Sequence, residues 1–479
     1  MPDQSPPPTL VTVIDSHPVD HSQKQSSLQR RLAGRHLQLI ALGGTIGSGL
    51  FLGSGELIKL AGPSVIVIYA IIGFFLFFMM RAMGEMLLSN LNYKTFNDLI
   101  SDMLGARMGF LVGWTYWFCG VVMCIADLVA MTAYSQYWFP SASPFLIGCI
   151  LIFFIVLINL LSVRWFGEAE FWFSAIKIVT VLIFLIGGAV LIAMNYHPQN
   201  QANSISISHI WSHGGIFPTK IIGFLAGFQI AIFAFICIEY LGLTAAETKN
   251  PERELAKAIN TIPVRIAIFY ILTFIVILSI MPWSNIDPAV SPFVQIMHIL
   301  GFTAAAGFIN FVVLTSSMSA VNGGVYATSR TLYSLAKNGC AHSALTTLSP
   351  RSIPHRCIYL SVALVIIGLA ILSNQPSIIH SFVIITTISS VLILFVWSMI
   401  VLSYLAYRRK YPKKHKESKF KMPGGRVMAV MVLIFFICMV AVLLIGDDTR
   451  SAVLLTPIWF IFIYILMRIF YRPQAQNIA

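Results

Sequence analysis

A chain of 479 residues that is 57% hydrophobic and 10% charged is not a soluble protein, whose charged share runs near 25%. Its formal net charge of +13 admits nucleic-acid binding, but the positions of those charges argue against it. Apolar runs of about 20 residues, the length a helix needs to cross a bilayer, recur throughout, so a polytopic membrane protein is expected.

Residues 1–36 are polar and rich in Pro, Ser and Gln. They lack the 7–15-residue apolar core of a secretory signal and read as a flexible cytoplasmic tail. Twelve apolar spans follow, at about 37–58, 63–83, 110–138, 144–163, 171–194, 221–243, 262–281, 301–322, 357–374, 379–406, 427–446 and 453–470. With the N-terminus inside, all but four of the 31 Lys and Arg residues fall in cytoplasmic segments, the exceptions being Lys59, Lys177, Lys220 and Arg450. This bias puts both termini in the cytoplasm and leaves 471–479 as a short tail. The largest basic cluster, "YRRKYPKKHKESKFK", reads as a cytoplasmic loop that holds topology and touches anionic headgroups, in preference to a nucleic-acid or regulatory-lipid site. No loop is long enough for a soluble domain, so function is expected within 37–470. The seven cysteines form no CxxC pair, which speaks against a zinc site or disulfide framework; they read as small packing residues.

Polar or kinked features inside spans are functional candidates, and four stand out in chain order. The first is "ALGGTIGSGLFLGSG" at 41–55, with Gly44, Gly47 and Gly49 in the middle of span 1. The pairs Gly43/Gly47 and Gly49/Gly53 have GxxxG spacing for close helix packing. A phosphate-binding loop is disfavoured, because no strand precedes it. A broken helix is the third reading: N–H groups freed at the break, at the positive end of the second half-helix, would bind a carboxylate. The second feature is Asp127 in span 3, suited either to a substrate ammonium or to a partner on another span. The neighbouring Trp114, Tyr116, Trp117 and Phe118 read as belt and core. The third is Lys177 in span 5, a proton carrier or fixed cation, or else a lysine that snorkels to the cytoplasmic face. The fourth is "FQIAIFAFICIEYLG" in span 6, where Glu239 sits in an apolar run, either interfacial or part of a site. Span 6 lies five spans after span 1. Interrupted spans in corresponding positions of two halves point to a transporter site, and this favours a broken span 1.

Enzyme signatures such as HExxH, GxSxG and Walker A are absent, so no catalytic residues, metal or cofactor are expected. Primary ATP-driven transport by this chain alone is disfavoured.

The stretches "RHLQLIALGGTIGSGLFLGSG", "AGPS" with "MRAMGEML", "GFQIAIFAFICIEYLGLTAAETKNPERELAKAIN" and "VNGGVYATSRTLYSLAKNG" together resemble the bacterial amino acid permeases of the amino acid/polyamine/organocation superfamily, over about residues 30–470. The resemblance implies an all-α membrane fold of two inverted five-helix repeats, broken in helices 1 and 6, plus two added helices. It implies proton-coupled uptake of an amino acid at a bacterial inner membrane. Stretches such as "FGEAEFWFSAIKIV" and "MPWSNIDPAVSPFV" point to members that take glycine, D-alanine and D-serine. In such permeases the substrate carboxylate lies against the break of span 1, here Thr45, Gly47, Ser48 and Gly49. The amino group meets carbonyls near Ile46, Phe233, Ala234 and Cys237, with Asp127 and Glu239 close by, and Lys177 is the proton-coupling lysine. Three positions depart from the pattern. Cys237 stands where close relatives usually have Gly. Gly323 and Ala327 stand where they often have Ser. Asp127 stands where permeases for larger side chains more often have Glu, which agrees with a small substrate. Exchange, another substrate such as L-alanine or proline, and a transporter-like nutrient receptor remain as alternatives. The expected partners are the amino acid, protons and membrane lipid, with no nucleic acid; the oligomeric state stays open.

Overall fold

The computed structural model describes residues 46–470, apart from 92, 94, 162, 199–204, 245–250 and 374–376. The expected tails, and residues 37–45 of span 1 with Thr45 among them, lie outside these. Among the described residues every regular element is helical, as an apolar chain in lipid requires, because each backbone N–H and C=O must find a partner within the protein.

The helices used below are α1 (Ser48–Phe51), α2 (Gly53–Ala61), α3 (Val65–Ser89), α4 (Phe96–Leu104), α5 (Ala106–Ser135), α6 (Pro144–Leu161), α7 (Val163–Ala193), α8 (Lys220–Ala234), α9 (Tyr240–Thr244), α10 (Ile262–Ile280), α11 (Thr303–Lys337), α12 (His355–Leu372), α13 (Ile378–Lys410), α14 (Gly425–Leu443) and α15 (Asp447–Phe470). Ten helical runs among the described residues are long and apolar enough to cross a membrane. The run 53–89 joins parts of two expected spans. Its halves, α2 and α3, meet at a 3-10 turn over Gly62–Ser64, where Gly62 takes φ +61. A Cβ there would meet Pro218 at 2.5 Å, so only glycine fits. Gly227 of α8 lies against Leu57, Ala61 and Ile68 at once, which shows that the chain doubles back at this turn. Span 6 supplies only the 15-residue α8 before the helix stops.

α5 is the interior helix, with 78% of its most apolar window buried against 17% for α15. It packs mainly against α11 and α13. Small residues let α5 and α11 approach closely, a recurring device in membrane bundles. A Cβ on Gly120 would meet Thr328 at 2.5 Å, and one on Gly324 would meet the Cys124 sulfur at 2.4 Å.

Groups that the Lys and Arg distribution puts on one side meet at one end of the bundle. Arg81 of α3 donates to Asn260 Oδ1 at 2.9 Å and to the Lys421 carbonyl, and stacks on Phe420. Asp102 of α4 accepts from Lys410 at 2.8 Å and from Tyr93 at 2.5 Å. Burial pushes the Asp102 carboxyl up, but the bonds from Lys410 and Tyr93 outweigh it and hold the carboxyl below its usual range. Glu85, fully buried, pairs with His415 at 2.5 Å and accepts the Met422 N–H at 2.7 Å. The basic segment after α13 is thus strapped across the ends of α3 and α4. At the opposite end Lys59 donates to the Ser284 carbonyl at 3.1 Å and Trp283 to the His213 carbonyl at 2.9 Å.

Glu85→Ala leaves the buried Met422 N–H without its acceptor, a loss of roughly 1–3 kcal/mol. The expected outcome is a lower thermal midpoint in detergent, with Glu85→Gln intermediate; an unchanged midpoint for the alanine variant would contradict the strap.

Candidate functional site

The start of α1 sets the geometry. Gly47 is extended, with φ −129 and ψ −157, and the helix begins at Ser48. The first carbonyl used within the helix is that of Gly47, which receives the Leu50 N–H at 3.2 Å. The Ile46 carbonyl is therefore left outside the helical ladder. It accepts instead from Lys177 Nζ at 3.1 Å and from Ser316 Oγ at 2.9 Å, which fills both lone pairs. One residue beyond the break, Ser48 Oγ donates to Asp127 Oδ1 at 2.5 Å. Gly47 sits between these two contacts: a Cβ there would lie 3.8 Å from Asp127 Oδ1 and 3.7 Å from Ala320 Cβ.

Span 6 is interrupted after Ala234. α8 ends at Ala234, and residues 235–239 run on in turns closed by Ile236 N–H to Phe233 O at 3.1 Å, Ile238 N–H to Phe235 O at 3.3 Å and Tyr240 N–H to Cys237 O at 3.1 Å. The Ala234 carbonyl accepts from the Tyr270 hydroxyl at 3.0 Å. α1 and the end of α8 touch, since a Cβ on Gly49 would meet Ala234 Cα at 2.8 Å and its Cβ at 2.9 Å. A Cβ on Gly53, one turn on, would meet Ile230 at 2.8 Å. The GxxxG pair Gly49/Gly53 is thus a packing face for α8, and Gly49 uses its missing side chain for that contact.

Lys177 does not snorkel. It is 1% exposed, and its second bond goes to Ser319 Oγ at 3.0 Å. Ser319 in turn donates to Glu170 Oε1 at 2.6 Å, Asn322 donates to Glu170 Oε2 at 3.3 Å, and Asn159 donates to Asn322 Oδ1 at 2.9 Å. These side chains are all buried. Sequence reasoning missed Glu170, Ser316, Ser319, Asn322 and Asn159. A signal existed: Glu170 precedes Lys177 by seven residues, two helical turns on one face, and "SSMSAVN" carries Ser316, Ser319 and Asn322 at steps of three. Gly323 and Ala327 carry no hydroxyl, while Ser319 of the same helix accepts from Lys177 and Ser316 donates to the Ile46 carbonyl.

Glu239 is fully buried, not interfacial. It accepts from the Tyr116 hydroxyl at 3.2 Å and from Trp397 Nε1 at 3.1 Å. Tyr116, read from sequence as belt or core, is therefore one of the side chains that satisfy this carboxylate. Glu239 lines a small cavity with Tyr116, Cys119, Gly120, Ala327 and Thr328, with room for about one water. Asp127 and residues 46–49 are not among the residues lining it.

Of the expected site residues, the structure brings Ile46, Gly47, Ser48, Asp127 and Lys177 together around the start of α1. Gly49 and Ala234 lie at the contact between α1 and α8, and Phe233, next to Ala234, sets its ring on Phe382 of α13. Cys237 and Glu239 belong to the break of span 6.

Cys237 takes φ +79, a left-handed conformation that costs a non-glycine residue roughly 1–2 kcal/mol. Cys237→Gly is therefore expected to raise the thermal midpoint in detergent; an unchanged or lower midpoint would show that side-chain packing of the thiol outweighs the strain.

Comparison with known proteins agrees with this architecture. The amino acid permease family model matches residues 36–478. The D-serine/D-alanine/glycine transporter of Escherichia coli (strain K12) is 50% identical over 442 residues, 92% of this chain and 94% of that one. The amino-acid permease AapA of Bacillus subtilis (strain 168) is 41% identical over 457 residues, 95% of this chain and 98% of that one. The DL-alanine permease SerP2 of Lactococcus lactis subsp. cremoris (strain MG1363) is 36% identical over 442 residues, 92% of this chain and 95% of that one. With a family match over that span and relatives of that identity and coverage, the chain belongs to the amino acid permease family, a family of transporters and not of enzymes.

Proposed function

We propose that this permease imports small neutral amino acids by proton symport across the bacterial inner membrane, with glycine, D-alanine and D-serine as the favoured substrates. The observation that carries the reading is the meeting of the start of α1 with the end of α8 at Gly49 and Ala234, beside a buried lysine bonded to the Ile46 carbonyl. The name of the Escherichia coli relative, at 50% identity, supports the substrate choice. The reading takes residues 37–470 as one transport domain of twelve spans, in which spans 1 and 6 are the broken helices of two inverted five-helix repeats. It takes 1–36 and 471–479 as cytoplasmic tails.

In this reading the substrate carboxylate lies at the start of α1, where N–H groups of the first turn point away from the helix. Asp127, on the Ser48 hydroxyl, faces the same point and meets the ammonium. Both ends of the zwitterion are then held through groups common to all amino acids. Neither handedness nor a large side chain is demanded, which suits glycine and the D forms. Rocking of one helix group against the rest alternates access.

Uptake into proteoliposomes from a panel of D- and L-amino acids tests the substrate. The expected result is strong competition by glycine, D-alanine and D-serine. Strong uptake of L-aromatic substrates without competition from glycine or D-alanine would overturn the choice. The name of the Lactococcus relative, a DL-alanine permease, favours a second reading in which both alanine enantiomers are taken equally, and the same panel separates the two.

Lys177→Ala tests the coupling. The variant is expected to lose the response of uptake to an imposed inward proton gradient; a retained response would remove Lys177 from the coupling.

A further inference from the structure

The hydrogen bonds of Lys177 and Ser319 run in one direction. Lys177 Nζ donates to Ser319 Oγ at 3.0 Å, and Ser319 Oγ donates to Glu170 Oε1 at 2.6 Å. A hydroxyl that accepts from a cation and donates to a carboxylate is arranged to pass a proton from one to the other. All three side chains are buried, at 1%, 1% and 3% exposure. No use of Glu170 in substrate binding follows from the geometry above. The Asn322 amide donates to its second oxygen, which leaves Oε1 for Ser319.

We propose that Glu170 is the proton acceptor of Lys177, reached through the Ser319 hydroxyl. The proposal rests on the reading of the protein as a proton symporter with Lys177 as coupling group. In the transfer, an N–H bond of the Lys177 ammonium breaks and its proton joins Ser319 Oγ. The original Ser319 hydroxyl proton passes to Glu170 Oε1. Lysine ends neutral, serine unchanged and glutamate as the neutral acid, so no other reactant is needed. The titratable groups that face Lys177 are Glu170 on its own helix, Asp127 from α5 and Cys237 from the break of span 6. Of these, Glu170 is the one connected to it through an unbroken set of hydrogen bonds among the described residues.

The direction of the relay follows from the helix. Glu170 lies about 10 Å closer than Lys177 to the start of α7, the end that the Lys and Arg distribution assigns to the cytoplasm. One turn before Glu170, Phe166 stacks on Tyr326 with ring centroids 3.9 Å apart, and Tyr326 follows Asn322 by one turn of α11. The stack thus lies one turn nearer that end than Glu170 and Asn322.

The test uses the full chain in proteoliposomes with radiolabelled glycine and two measurements. One is accumulation driven by an imposed inward proton gradient; the other is glycine–glycine exchange without a gradient. With one proton per substrate, a gradient of one pH unit sustains about a tenfold accumulation. Glu170→Gln keeps an acceptor for Ser319 but takes up no proton, and Ser319→Ala removes the bridging hydroxyl. Both are expected to lose that tenfold accumulation while exchange persists, with Glu170→Asp recovering part of it. Wild-type accumulation in Glu170→Gln overturns the relay. Equal loss of accumulation and exchange in that variant also overturns it, by assigning Glu170 a structural role. A wild-type protein that ignores the gradient overturns the symport reading itself, and the relay with it.

Discussion

The bond between the Lys177 ammonium and the Ile46 carbonyl is the contact on which the rest of the centre depends. A lysine buried among membrane helices is costly unless its charge finds acceptors. A helix interrupted in the same environment is costly unless its freed carbonyl finds a donor. Each solves the other's problem. Ser316 fills the second lone pair of Ile46, and Ser319 and Glu170 continue the network from the lysine. The break is held from the other side as well, through Ser48 and Asp127. A cation before Gly47 and an anion after it keep that residue extended, and the helix that follows inherits its starting point from them.

Packing then brings the second break to the first. Gly49 and Gly53 present a flat face, and α8 lies on it closely enough that a methyl group at Gly49 would strike the backbone of Ala234. Glycine in a helix is a poor choice by propensity. Here the propensity loss is set against backbone approach that no other residue permits. The break of span 6 has its own supports: Tyr270 takes the Ala234 carbonyl, and Tyr116 and Trp397 take the Glu239 carboxylate. The start of α1 and the break of span 6 are therefore each satisfied by other helices of the bundle.

The strap at the basic end ties a different pair of helices, α3 and α4. Glu85 and Arg81 tie the segment after α13 to α3, while Lys410 and Tyr411 tie it to α4 through Asp102. Any rocking of α3 must carry this segment along or break a buried pair. Charges that from sequence read only as a topology signal thus have specific partners.

Much of the architecture was legible in one dimension. Runs of about 20 apolar residues have a single solution in lipid, so the helices follow from composition, and the Lys and Arg positions supply the expected sidedness. Six glycines in "ALGGTIGSGLFLGSG" single out the start of α1, and a glutamate toward the inner end of span 6 singles out its break, because such residues weaken or burden a membrane helix. The same reasoning identified Lys177 and Asp127 as buried charges. Their partners were a matter for the tertiary structure alone. Lys177 and Ile46 are 131 residues apart, Glu170 and Ser319 149, and Glu239 and Trp397 158, and no local spacing encodes such pairs. The tertiary structure also decided how the glycines divide. Gly47 supplies the extended residue at the break, and Gly49 and Gly53 supply the contact with α8, because which face of a helix meets a neighbour depends on where that neighbour packs.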